Sequence, residues 1–362
     1  MKALLRKILR PLVYIFTYLP FKGKVNITRN GKPLKKGISA VVAMKNEEYI
    51  LPLCLKSLVG FADQVVIIDN GSDDNSLLVA NEFKEKFKDK IQVDIVELPN
   101  ALLGDCREKG LELSEYQWHL RWDADMVAYT SGNHDMKILR KKALNDNTPR
   151  AIQLPRLNLN GDLSHHEPDK LEDPGEPILI WLTKDVIYKE FGKFDTIRVP
   201  FYYQQVQETH NYYFHCQGLK SIDNLMHRFH YFTWRELINS IPEQEQDERI
   251  KNYEVFKNLR NEYLFQTTDI NTIKFRYQKQ LFPKFIKLGT QNSYPYPDVI
   301  KEEIDSGNER FKILYDNGKP YSRKDSKDLE MENYSISEED EKWSISEFMD
   351  RLLNENYKDY IK

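Results

Sequence analysis

Cysteine is scarce in this chain: Cys54, Cys106 and Cys216 lie far apart, and none forms a C-x-x-C pair. That spacing argues against a disulfide framework or a cysteine-built zinc site and suits a reducing compartment. An excess of one charge sign is also lacking. A formal net charge of −3 over 362 residues gives no case for a nucleic-acid partner. The apolar run after Pro11 is about ten residues, half of the roughly 20 that a spanning helix needs. Pro11 and Pro20 bracket it and no small-residue cleavage site follows, which disfavours a signal peptide. Glycine is missing from Met44 to Tyr49, where a dinucleotide-binding or nucleotidyl-transfer loop would place it. No internal repeat is found.

What is present is a regular alternation. The length accommodates one large or two ordinary domains. Ile38–Val42, Val65–Ile68, Val93–Leu98 and Trp118–Trp122 read as strands, the first two as apolar runs covered on both faces. Between them Glu47–Leu58, Leu77–Phe87 and Leu103–Leu113 carry apolar residues at helical spacing. Val25–Lys36, with its Asn30-Gly31 turn, reads as a hairpin ahead of the first strand. Strands alternating with helices imply a parallel sheet with right-handed crossovers, an α/β fold whose ligands bind beyond the carboxyl ends of the strands.

Three polar clusters fall at those ends. Lys45-Asn46-Glu47 follows the first strand, Asp69 to Asp74 the second, and Asp123-Ala124-Asp125 the fourth. Hard divalent cations prefer oxygen ligands and often sit between carboxylates and substrate phosphates, so Asp123 and Asp125 are a seat for a metal-bound diphosphate. An ionised carboxylate only accepts hydrogen bonds, which suits Asp69 to a ribose or a base edge. Asn70 to Asp74 are also ordinary turn and capping residues.

Ser39 to Leu51, Val65 to Ser76 and Trp122-Asp-Ala-Asp125 together resemble the opening motifs of family 2 glycosyltransferases of the GT-A fold. The resemblance covers roughly Gly37 to Met126. It implies a Rossmann-like mixed sheet flanked by helices, a nucleotide-sugar donor, Mn2+ or Mg2+, and inversion at the anomeric carbon. By it, Val41, Ala43, Glu47 and Asp69 contact the nucleotide, Asp123 reaches the ribose side, and Asp125 holds the metal. Arg107 stands where the family often has an Arg-Asn pair near the nucleotide, although Glu108 replaces the Asn. Phe214-His215 followed by Gly218-Leu219-Lys220-Ser221 resembles a later element of the family, making His215 a metal ligand and Lys220 a diphosphate contact. His227 and His230 are the competing pair, and His165-His166-Glu167 a weaker metal pattern. Glu208 is the candidate base; Asp173, beside Glu172, is the alternative. A non-catalytic sugar-binding or scaffold protein and a sugar-phosphate nucleotidyltransferase are the rival readings.

The domain reading is a basic apolar segment over 1–22, a nucleotide-sugar half over 23–128 and an acceptor half over 129–235. A helical extension with an acidic linker occupies 236–362. The acceptor is expected to be a glycan, including a lipid-linked one. Lys2, Arg6, Lys7 and Arg10 among aliphatic and aromatic residues suit a segment lying in an anionic membrane interface. The expected location is cytoplasmic, peripheral on the inner membrane face. Deleting residues 1–21 should abolish co-sedimentation with anionic liposomes; binding equal to the intact chain would remove the anchor.

Overall fold

The computed structural model describes residues 33–307 apart from residues 100, 147, 160–162, 164, 167–176, 192–193, 217–218, 221, 242–250 and 278–289. The segment expected at the membrane, most of the expected hairpin and the acidic linker lie outside the described residues. The described residues divide into two compact units, the first holding 33–159, 166–216 and 291–307, the second most of 219–290.

In the first unit, β1 (Lys35–Met44) is buried over nearly its whole length and lies inside the sheet, paired on both sides. It takes in Lys35 and Lys36, the last residues of the expected hairpin. The chain then runs α1 (Leu51–Leu58), β2 (Gln64–Asp69), α2 (Ser76–Phe87), β3 (Gln92–Glu97), α3 (Leu103–Leu113) and β4 (Tyr116–Asp123). A proline in the first turn of α1 supplies a fixed φ where no N–H partner is needed. The helix starts four residues later than expected, because Asn46 takes a left-handed φ of 56° and turns the chain first.

β1 is parallel to β2 on one side and to β4 on the other, and β2 is parallel to β3. Strand order therefore reverses between β1 and β4, which opens a crevice at their carboxyl ends. After β5 (Met126–Ala128) and α4 (Met136–Leu144), the sheet gains β6 (Arg150–Gln153), β8 (Pro177–Trp181) and β11 (Gln204–Gln207). Its order is β11-β6-β8-β4-β1-β2-β3, with β8 antiparallel to both neighbours, so the sheet is mixed as expected. Trp118 and Trp181 meet across the β4–β8 pair, ring centroids 5.4 Å apart.

The single strand expected from Ala151 to Leu157 is instead two. β6 pairs in the large sheet, while β7 (Leu157–Asn158) joins a small sheet of order β5-β12-β7, where β12 is Tyr213–His215. Pro155, which cannot donate to a ladder, lies in the break between them. A hairpin of β9 (Ile187–Phe191) and β10 (Phe194–Arg198) packs over α3.

The second unit is helical. α5 (Ile222–Ser240) begins well before the expected boundary at 235/236, so that boundary falls inside a helix. α6 (Tyr253–Phe265) is capped by Asn252, whose side chain accepts from the Glu254 and Val255 N–H groups. In the first unit the chain returns as α7 (Asp298–Asp305); Thr130 and Ser131 both donate to Asp298, each at 2.9 Å. Residues 291–307 thus belong with the sheet rather than with the helical extension. Among the described residues no helix is long and apolar enough to cross a membrane.

Gly110 lets α3 press onto β1: a Cβ there would lie 2.1 Å from Val41 Cγ1. Gly110→Ala should therefore cost about 1–3 kcal/mol through overpacking, read as a lower midpoint in urea unfolding at unchanged slope.

Candidate functional site

The site begins with strand register. Asp69 pairs with Met44 and Asp123 with Ala43, so both carboxylates reach the same sheet edge, on either side of β1. The chain then turns within Asp123-Ala124-Asp125 and returns as β5. Trp122 Nε1 donates to Met126 O at 3.0 Å, fixing that turn from inside. The small sheet delivers His215 from much later in the chain. His215 pairs with Met126 and with Asn158, and the Cys216 N–H donates to Asp125 O at 2.7 Å.

The result is a three-residue donor set. His215 Nε2 lies 3.3 Å from Asp125 Oδ1, and ligand atoms of Asp123, Asp125 and His215 all fall within 4.8 Å of one another. Asn158 Oδ1 is 2.9 Å from His215 Nδ1. With that oxygen accepting, Nδ1 carries the ring proton and the Nε2 lone pair faces the carboxylates, as a metal ligand requires. Two carboxylates and an imidazole suit Mn2+ or Mg2+, so these side chains fit the ion they were expected to hold. It is the one such set among the described residues. The competing histidines are engaged elsewhere, on α5: His227 bonds the Tyr253 hydroxyl at 3.1 Å, and His230 Nδ1 lies 3.1 Å from Arg260. His166 is buried against the Tyr294 ring, and Glu167 lies outside the described residues.

Behind this set sits Arg107, with no exposure. It is not a helix-surface charge: it donates to Trp122 O at 2.7 Å and to Val41 O at 3.4 Å, and it is ion-paired with Asp123. Asp195, on β10 and 2% exposed, is the partner that sequence reasoning missed. Its Oδ1 accepts from Arg121 at 3.1 Å, and its Oδ2 faces Arg107 Nε across 3.6 Å. Only a Phe-Asp pair in a segment without regular alternation marks it in the sequence. Glu108, where the resemblance implies Asn, accepts the Tyr188 N–H at 2.7 Å and so tethers the β9–β10 hairpin to α3.

These charges set the local electrostatics. Burial pushes the Asp123 carboxyl up, but the guanidinium groups of Arg107 and then Arg121 outweigh it and hold it below the usual range. Burial pulls Arg107 down, and Asp123 and Asp195 raise it above its ordinary value, so it stays cationic. His119, buried on β4 with Nε2 2.9 Å from the Tyr188 hydroxyl, is lowered to about 3 by burial and then by Arg107 and Arg121.

The side expected to take the nucleotide is stitched together by its own loops. Asn46 N–H donates to Ser72 Oγ (3.0 Å), Glu47 N–H to Ser76 Oγ (2.7 Å) and Glu48 N–H to the Asp74 carboxylate (3.1 Å). Asp69 accepts from both the N–H and the hydroxyl of Ser72. Asn70 bonds Ala101 in both directions, so Asn70 to Asp74 are structural as well as polar. Ala43 and Glu47 are half-buried at the end of β1. Val41 is fully buried with Val66, Ile68 and Cys106, so its side chain presents no surface in the cleft.

The far wall is less complete. Glu208 follows β11 and is tied to Lys142 Nζ at 3.0 and 3.3 Å, not to the Asp123–Asp125–His215 set. Lys220 is half-buried in the second unit. Asp173 and Glu172 lie outside the described residues.

Residues 39–131 match the model of the family described as Glycosyl transferase family 2. Among solved structures, S. aureus TarS 1-349 in complex with UDP-GlcNAc is 16% identical, with a TM-score of 0.37 over 70% of this chain and 79% of that one. A second S. aureus TarS structure is 15% identical at a TM-score of 0.38, over 70% of this chain and 49% of that one. Glucosyl-3-phosphoglycerate synthase from Mycobacterium tuberculosis with Mg2+ and UDP is 18% identical, at a TM-score of 0.26 over 33% of this chain and 44% of that chain.

His119 generates a pH dependence. A folded-state value of about 3 against 6.5 when unfolded means that the unfolded chain binds the extra proton, so stability falls as pH drops through that window. The loss is about 1.4 kcal/mol per pH unit. Urea unfolding of His119→Gln, which keeps a partner for Tyr188, should lose about 2 kcal/mol less between pH 7 and pH 5 than the unsubstituted chain.

Proposed function

We propose that this chain, whose residues 39–131 match the family 2 glycosyltransferase model, moves a sugar, with inversion, from a nucleoside-diphosphate donor to a glycan hydroxyl in a metal-dependent reaction. The observation that carries this is the convergence of Asp123, Asp125 and His215 beyond the carboxyl end of β4, at the strand-order switch. Mn2+ or Mg2+ held there would act as a Lewis acid on the leaving diphosphate.

The chain's own residues divide the remaining work. Asp125 and His215 are the ligands, with Asn158 fixing the imidazole so that Nε2 points inward. Asp123, held by Arg107 through one oxygen, presents its other oxygen to the ribose or the ion. Asp69 has lone pairs left after accepting from Ser72, and these suit ribose or base donors. Ala43 and Glu47 flank it at the end of β1, and Lys220 is the candidate diphosphate contact.

Inversion requires one base to take the acceptor proton as the hydroxyl attacks. Glu208 is that base in this reading. Its hydrogen bond to Lys142 raises the lysine above its ordinary value, keeping a cation beside the carboxylate. Lys142 must yield one oxygen when the acceptor arrives. The acceptor is proposed to be a cell-surface glycan or its lipid-linked precursor, met at the inner membrane face through residues 1–21.

Nucleotide-sugar turnover with Mn2+, across a panel of donors, tests both assignments. Asp125→Ala should lower kcat/KM at least about 100-fold and remove the effect of chelation; activity indifferent to either would sink the metal assignment. Glu208→Gln should lower kcat about 100- to 10,000-fold while nucleoside-diphosphate binding persists. Full activity in that variant, with loss in Asp173→Asn, would move the base to Asp173.

A further inference from the structure

The metal-ligand set faces an unusual neighbour for a cation site: two guanidinium groups. Arg107 is ion-paired with Asp123, and Arg121 lies two residues before it on the same strand. A divalent ion approaching Asp123 and Asp125 meets both positive charges at short range, in a partly buried place where water screens them poorly. Asp123 and Asp125 alone would only cancel Arg107 and Arg121, leaving no net attraction for a further cation.

Asp195 changes that balance. It contributes the third carboxylate, so the set carries one net negative charge with His215 neutral. Its placement is specific: 2% exposed, it accepts from Arg121 at 3.1 Å and faces Arg107 Nε across 3.6 Å. A lone carboxylate that deeply buried is costly unless it has such partners. Asp195 arrives on a hairpin separate from the donor loops.

We propose that Asp195 is a positioning residue of the donor site: it turns Arg107 and Arg121 toward itself and offsets their charge, so that Asp123 and Asp125 can accept a divalent cation. The proposal rests on the reading of Asp123, Asp125 and His215 as the metal ligands. It assigns the β9–β10 hairpin a part in metal affinity although no residue of it is a ligand.

The test is Mn2+ binding to the full chain, followed by the free-ion electron paramagnetic resonance signal, with thermal unfolding recorded for every variant. Asp195→Asn should weaken Mn2+ binding about tenfold. The double variant Asp195→Asn with Arg121→Gln restores the charge balance and should recover most of that loss, which a purely structural role for Asp195 would not do. Arg121→Gln alone should tighten binding several-fold, and it carries the test if Asp195→Asn fails to fold; unchanged or weaker binding there overturns the proposal. Asp125→Ala separates the two layers. If it abolishes Mn2+ binding while folded Asp195→Asn binds as the unsubstituted chain does, the Asp195 proposal falls and the metal reading stands. If Asp125→Ala leaves binding intact, the metal reading falls and takes the proposal with it.

Discussion

A guanidinium with no access to water must find its counter-charges inside the protein, and Arg107 is in that position. Much of the architecture around the site answers that demand. α3 has to lie close enough to β1 and β4 for Arg107 to reach Val41 O, Trp122 O and Asp123, and Gly110 permits the approach. The β9–β10 hairpin has to close over α3 to bring Asp195, and Glu108 secures it by taking the Tyr188 N–H. Adjacent residues of one helix therefore hold the site from two directions. Glu108 in place of Asn is a structural tether in this chain, which explains that departure from the resembled pattern.

Two kinds of support meet at the cleft. The side expected to take the nucleotide is built from loops that bond one another: the side chains of Ser72, Ser76 and Asp74 accept from the Asn46, Glu47 and Glu48 N–H groups, and those of Asn46 and Glu48 accept from the Asp73 and Asn75 N–H groups. Such a surface is formed before any ligand arrives, which limits the ordering cost of binding. The Asp123–Asp125–His215 side depends on strand pairing instead. β12 sits between β5 and β7, and that register alone places His215 beside Asp125 and Asn158.

Legibility in the sequence followed from how local the signal is. The four strands and three helices up to Asp123 were readable because each is a short apolar run or amphipathic stretch, and α3 matched at both ends. The three strand-end clusters were readable because a parallel sheet puts its ligands there. The burial of Val41, which the resemblance alone implied as a nucleotide contact, is not legible from that resemblance: its face of β1 packs with Val66, Ile68 and Cys106. Asp195 was not readable: its meaning lies in Arg107 and Arg121, 88 and 74 residues away, and nothing nearby in the chain encodes them. Pro155 could have warned that one expected strand was two. The helical spacing of Leu225, Met226, Phe229 and His230 is masked by aromatic and polar residues between them, so the helical part is expected only from residue 236 although α5 begins at Ile222.

The distance along the chain between Asp125 and His215, 90 residues, bears on the order in which the protein takes shape. Closing a loop of that length costs about 4 kcal/mol of chain entropy before its contacts give anything back. The nucleotide-side loops span fewer than 30 residues and close sooner. When synthesis has reached Asp123, every residue of the first four strands and of their connecting loops has been added, while His215 has still to be. Competence to hold a cation at all three residues is therefore a late event in the life of the molecule, reached only once β12 has slotted between β5 and β7.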